Sequence, residues 1–257
     1  MRRVLIWSVL TAIVALALVV AGYWTYWNVF ARFQPVTVTA EADEIQDLLD
    51  SASWLSDGGG GRPVYVIGYR DSAAMERYVR EEAPRLRAGG ADPRFIVFVR
   101  PDRSSPAERA TVAELWLGRD WRLFQRWMAA PARSWTAQGV APADGDLARE
   151  AMLEGAGRFE AQVGALLTPA GVDVSHPLVL WRDGQGFLKA CACADARGWA
   201  FVRDDLGAPD RVGSPEAAPD AEAVPSMGYP DLPGAAPPPA TPAYPPVVPQ
   251  APPPVQA

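Results

Sequence analysis

Few side chains in this sequence can do redox or nucleophilic chemistry. Cys191 and Cys193 are the only cysteines, and His176 is the only histidine. In an extended strand residues i and i+2 share a face, so both sulfurs would point the same way. At about 3.3 Å per residue their Cα atoms would lie roughly 6.6 Å apart, near the upper limit for a disulfide, so a bridge there is expected to be labile. Three readings stay open for the pair: two semi-buried small residues of an edge hairpin, a redox couple, or two thiolates holding a metal with Asp195 or a partner. Ser72 follows an apolar run where a helix should start. A serine and a histidine can begin an activated nucleophile, but no third orienting group or oxyanion hole is visible. The plainer reading is a helix-capping serine and a polar groove-lining histidine, so no catalytic residue, cofactor or metal is assigned.

Composition excludes more than it supplies. Two cysteines cannot build a disulfide scaffold or a four-thiolate zinc site. One histidine excludes zinc sites with two or three imidazoles and disfavours a Ser-His-Asp hydrolase. The net charge of −6 argues against nucleic acid, whose phosphates need clustered cations. Of the 24 basic residues only Lys189 is lysine, so single arginines carry little information. Gly58 to Gly61 precede a strand and lack a lysine, unlike a phosphate loop. The charged segment 76–87 alternates in sign and reads as a solvated helix face with local ion pairs. Trp116, Trp121, Trp127 and Trp135 read as core or groove wall.

The elements that must position these residues fall into three stretches. Residues 1–35 read as a membrane anchor: Arg2 and Arg3, an apolar run over residues 4–24 long enough to cross a bilayer, then Tyr23, Trp24, Tyr26, Trp27, Phe30 and Phe33 for the headgroup layer. A cleaved signal peptide would want a shorter run and a small-x-small site in a polar setting; Ala15-Leu16-Ala17 lies inside the apolar run. The arginine pair predicts a cytoplasmic N-terminus and, in a bacterium, a periplasmic remainder. Residues 208–257 carry 16 of the 26 prolines, which predicts a disordered, polyproline-like tail. Tyr244, Pro245 and Pro246 are its candidate docking residues.

Residues 36–207 alternate strands and helices. Strands are expected at 36–39, 63–69, 94–100, 178–181, 187–193 and 199–203. Helices are expected at 41–56, from 71 or 72 past Leu86, at 105–128 and at 145–167. Ser105, Pro106 and Glu108 form a strong helix start. The pattern predicts an α/β domain with a mixed sheet covered by helices.

This order resembles a thioredoxin-like fold with a helical insertion. Ala52-Ser53-Trp54-Leu55-Ser56-Asp57-Gly58 followed by Val64-Tyr65-Val66-Ile67 is similar to the approach to the active site in periplasmic disulfide isomerases of the DsbC/DsbG type. Glu114 to Trp121 resembles their inserted helices. Gly171 to Gly184, including His176-Pro177, resembles the segment that holds their cis proline. The resemblance covers roughly residues 40–190. It implies a Cys-x-x-Cys at the helix after the Tyr-Val strand, and here Ser72-Ala73-Ala74-Met75 occupies those positions; a shifted alignment places Ile67-Gly68-Tyr69-Arg70 there. Neither contains a thiol, and a serine hydroxyl cannot replace a thiolate in disulfide exchange.

The expectation is therefore a single-pass inner-membrane protein with a degenerate thioredoxin-like periplasmic domain, binding a protein or extended peptide without catalysis. Ser72, Met75, His176 and Pro177 mark the degenerate site. The alternatives are a thiol-disulfide oxidoreductase using Cys191 and Cys193, and a structural component of a secretion or conjugation complex.

Overall fold

The computed structural model describes residues 2–212. The tail from residue 213 onward, with Tyr244, Pro245 and Pro246, lies outside the described residues.

Helix α1 runs over Arg2–Val29. Thr11–Phe33 has a mean hydropathy of 1.6, long and apolar enough to cross a membrane. Tyr23, Trp24, Tyr26, Trp27 and Phe30 are all exposed. A short 3-10 turn, Ala31–Phe33, joins this helix to the domain.

Five strands form one sheet: β1 (Val36–Val38), β2 (Arg62–Gly68), β3 (Ala91–Val97), β4 (Leu178–Arg182) and β5 (Leu188–Ala192). Their order is β1-β5-β4-β2-β3. Only β2 and β3 run parallel; the other neighbours are antiparallel. The register places Ile67 opposite Leu178 and Val64 opposite Trp181. β3 is an edge, which tolerates Pro93 because a proline cannot donate to a further strand. Leu55 covers part of that edge by exchanging backbone hydrogen bonds with Phe95 (2.9 and 2.8 Å).

Helices pack on both faces: α2 (Ala42–Ser51), α3 (Ala73–Arg77), α4 (Ala83–Ala88), α5 (Pro106–Gly118), α6 (Trp121–Ala129), α7 (Leu147–Leu167) and α8 (Trp199–Leu206). The period-2 alternation of the strands divides the core into two layers. Val64, Val66, Val179, Trp181 and Cys191 face one side, with Leu86, Phe124, Trp127 and Val202. Tyr65, Ile67, Leu178 and Leu180 face the other, with Ile45, Leu49, Phe159 and Val163. The two central strands β2 and β4 are therefore buried on both faces.

The expected alternation of strands and helices is present, with four corrections to the elements. Residues 199–203 form the start of α8, not a strand: Trp199, Val202 and Leu206 recur at helical spacing and are buried. The helix expected over 41–56 stops at Ser51; the chain turns at residues 52–54, where the Trp54 amide donates to the Ala52 carbonyl, and Leu55 bridges to Phe95 of β3. The helix expected over 105–128 is two, because Arg119 takes a left-handed conformation (φ 50°) and Asp120 caps α6 through the amides of Arg122 and Leu123 (2.8 and 3.1 Å). The charged face at 76–87 is not wholly solvated. Glu82 is fully buried and receives Arg203 from α8 and Arg85.

Between α3 and α4 the chain widens into a π turn over Tyr78–Glu82. Pro84 follows at the start of α4 and has no N–H to continue the i→i−4 ladder. At the start of β2, Gly61 has φ +116°, and a Cβ there would stand 2.4 Å from the Gly90 carbonyl oxygen. Only glycine fits this approach.

Candidate functional site

The site lies where β2 ends and β4 begins. Because Ile67 pairs with Leu178, the antiparallel register brings Gly68 and Pro177 to the same end of the sheet. The His176–Pro177 peptide bond is cis. Helix α3 starts at this end. Ser72 is its N-cap, and its Oγ accepts from the Met75 amide at 3.3 Å. Met75 is fully buried, and its Sδ would stand 2.9 Å from a Cβ on Gly68, so this methionine packs flat on the strand end.

Ser72 and His176 do not form a couple. No hydrogen bond joins them among the described residues, and each has other surroundings. The His176 ring packs against Phe98 (centroids 4.9 Å) and Tyr69 (5.7 Å). Its Nε2 is 3.5 Å from Glu160 Oε1 of α7 but has no hydrogen-bond partner among the described residues. Burial pushes the imidazole down to about 4, so the ring is neutral at pH 7. Burial also raises the Glu160 carboxyl. Neither group is arranged to activate a hydroxyl.

Around this corner the structure collects residues that pattern reading did not single out. Arg100 stacks on Tyr69 at 4.2 Å and pairs with Asp71. Phe98, Arg100, Arg109, Glu150 and Glu160 help line a cleft of about 520 Å³. Phe98 and Glu160 thus belong both to the cleft and to the surroundings of His176. Their signal was only positional: Tyr69 and Phe98 lie just past the ends of β2 and β3. Arg70 points elsewhere. It is buried between the Trp127 and Trp135 rings (5.4 and 5.8 Å), donates to the Ala130 carbonyl, and is pulled below the usual guanidinium range by burial.

Cys191 and Cys193 are joined by a disulfide, with Cα atoms 5.1 Å apart. The spacing is shorter than the strand estimate because regular β5 ends at Ala192 and Cys193 opens the turn that follows. Neither sulfur is presented to solvent, since the residues are 3% and 0% exposed. The metal arrangement considered for this pair is not assembled. The sulfurs are bonded to each other, and Asp195 is held by Arg197 (3.0 and 2.7 Å). The disulfide is nevertheless adjacent to the corner, because the Cys193 amide donates to the Pro177 carbonyl at 2.9 Å.

No family model matches the chain, and no curated protein is similar to it. Among solved structures it is similar to BcfH of Salmonella enterica Typhimurium, at 14% identity and a TM-score of 0.40, over 65% of this chain and 79% of that one. It is also similar to DsbA of Chlamydia trachomatis, at 13% identity and a TM-score of 0.30, over 51% and 79% of the two chains. Likeness this low carries no weight for function, which rests on the chain's own geometry.

Proposed function

We propose that this protein is a membrane-anchored, periplasmic thioredoxin-like module without the dithiol of that fold, binding extended polypeptide or a protein partner without chemical turnover. One observation carries the reading: a cysteine-free helix start, Ser72 to Met75, shares a sheet end with a cis-proline corner and an adjoining cleft. The finer kinship, to isomerases of the DsbC/DsbG type, rests on the segments at 52–67, 114–121 and 171–184 and is part of the proposal. The uncleaved anchor and its orientation rest on α1, its exposed aromatic flank and Arg2-Arg3. A cleft walled by Phe98, arginines and glutamates suits peptide backbone and mixed side chains better than one small ligand.

One observation favours the oxidoreductase alternative, the bond between Cys191 and Cys193. Their burial opposes it, since exchange needs a thiolate to reach a sulfur in line. The test uses the full chain in lipid nanodiscs, with a photo-crosslinker at residue 98 and a reduced, carboxymethylated polypeptide as probe. The proposal expects cross-links and no insulin reduction. Absence of cross-links overturns binding. Insulin reduction that disappears in Cys191→Ala replaces the proposal with the enzyme.

A further inference from the structure

The disulfide has a thin cover, and part of that cover comes from the membrane side of the chain. A Cβ on Gly198 would stand 3.1 Å from Cys191 Sγ, 3.7 Å from Cys193 Sγ and 3.5 Å from the Phe33 carbonyl oxygen. Both sulfurs therefore lie under a glycine, and that glycine lies under the turn leaving α1. The Phe33 ring is gripped by two guanidiniums, Arg197 at 3.9 Å and Arg32 at 4.6 Å from its centroid. Asp195 fixes Arg197 in turn, through its side chain and through the Arg197 amide (3.0 Å). From below, Trp199 Nε1 donates to the Cys193 carbonyl at 2.9 Å. The underside is packed core; the topside is a surface loop held by contacts with exposed arginines.

Cross-linking residues only two apart removes little freedom from the unfolded chain, so this bond acts locally rather than as a global staple. What it fixes locally is the loop on which Phe33 docks.

We propose that the Cys191–Cys193 disulfide is a reducible site whose access is governed by docking of the Ala31–Phe33 turn, so that its reduction by a dithiol and release of that turn are linked. A thiolate of the dithiol attacks one sulfur and forms a mixed disulfide; the other cysteine leaves as a thiolate and takes a proton. The second thiol of the reductant then closes on its own sulfur and frees the remaining cysteine. The protein gains two electrons and two protons, and the dithiol becomes a disulfide. Linkage makes the effect reciprocal: whatever undocks Phe33 eases reduction, and reduction eases undocking. The consequence is a domain held against its anchor when oxidised and freed from it when reduced.

The experiment uses the full chain in nanodiscs with dithiothreitol as the dithiol. Thiols are trapped with a maleimide at timed intervals. Phe33→Ala and Arg197→Ala should each be reduced roughly threefold to tenfold faster than the unchanged chain, the size set by a lost cation–π contact. In the other direction, trypsin should cut after Arg32 faster in the reduced, alkylated chain than in the oxidised one. Circular dichroism establishes that each variant is folded; Arg197 is exposed, so its variant serves if Phe33→Ala unfolds. Equal reduction rates in the unchanged chain and in Arg197→Ala, or equal cleavage after Arg32 in both redox states, overturn the proposal.

Discussion

The amide of Cys193 donates to the carbonyl of Pro177 at 2.9 Å, so the disulfide loop and the cis-proline corner share a hydrogen bond. This bond extends the β4–β5 ladder beyond the Leu178–Ala192 pair, the last one in regular strand. Removing the cross-link should fray that end first. Replacing both cysteines by serine is expected to cost about 1–2 kcal/mol, the small loop-closure value of so short a ring. Hydrogen exchange at the Cys193 amide should accelerate while amides in the middle of β2 stay protected. Uniform acceleration across the sheet would mean the bond is a global staple instead.

Glu82 and Arg203 support the opposite side of the helical layer. The glutamate is completely buried and accepts from Arg203 Nη1 at 2.8 and 2.7 Å through both oxygens. The pair ties the π turn to α8. Glu82→Ala takes the buried carboxylate from Arg203 and Arg85 and leaves Arg203 only the exposed Asp210 at 3.1 Å, so it should lose about 2–3 kcal/mol in urea unfolding. Restoring shape without charge, as Glu82→Leu with Arg203→Leu, should recover much of that loss. No recovery in the double variant would show that the charges themselves hold α8 in place.

Some of this architecture was legible in the residues and some was not. The apolar runs around Val64 and Leu178 marked buried strands because both faces are covered. Ser72 and Ser105 announced helices through their capping chemistry, and both cap in the structure. Residues 199–203 misled because Trp199, Phe201 and Val202 favour strands locally, and the helical spacing shows only when Leu206 is included. Asp120 was a readable cap inside an apolar helix pattern that masked it. Glu82 was invisible in principle: a charge in an alternating-sign helix looks solvated until the partner, 121 positions away, is known. The cleft was equally hidden, since Phe98, Arg100 and Glu160 meet only through the register of the sheet and the packing of α7.

The single histidine allows an unusually direct pH experiment. Burial depresses His176 to about 4, below its ordinary value near 6.5. The unfolded chain therefore takes up a proton before the folded one does. The associated stability is complete above pH 6.5 and drains away as pH falls toward 4; by pH 5 the loss is up to about 2 kcal/mol. Glu160 has the opposite sign, because its raised carboxyl relieves a cost as it becomes protonated. His176→Asn should flatten the loss between pH 7 and 5, and Glu160→Gln should steepen it. The lone imidazole resonance should titrate near 4 in the native chain; a midpoint near 6.5 would place the ring in solvent and remove it from the Tyr69–Phe98 contact.

Ser72 and Met75 give the strictest test of the proposed ancestry. As a cap, Ser72 satisfies one otherwise unpaired amide, so Ser72→Ala should cost about 1 kcal/mol and leave polypeptide cross-linking unchanged. The same position should instead be hot for a thiol. Free amides and the positive end of the helical run over residues 73–88 stabilise a thiolate, so Ser72→Cys should alkylate at neutral pH faster than an unstructured cysteine. Met75 lies one turn on and is buried against Gly68, so a cysteine placed there should have a shielded thiol, as a resolving cysteine does. The Ser72→Cys/Met75→Cys double variant should then form a disulfide in a glutathione buffer and acquire insulin-reducing activity that the native chain lacks. A double variant that folds, yet neither oxidises nor shows a fast thiol, would mean that this helix start was never shaped for exchange chemistry, and the kinship with dithiol proteins would fail there.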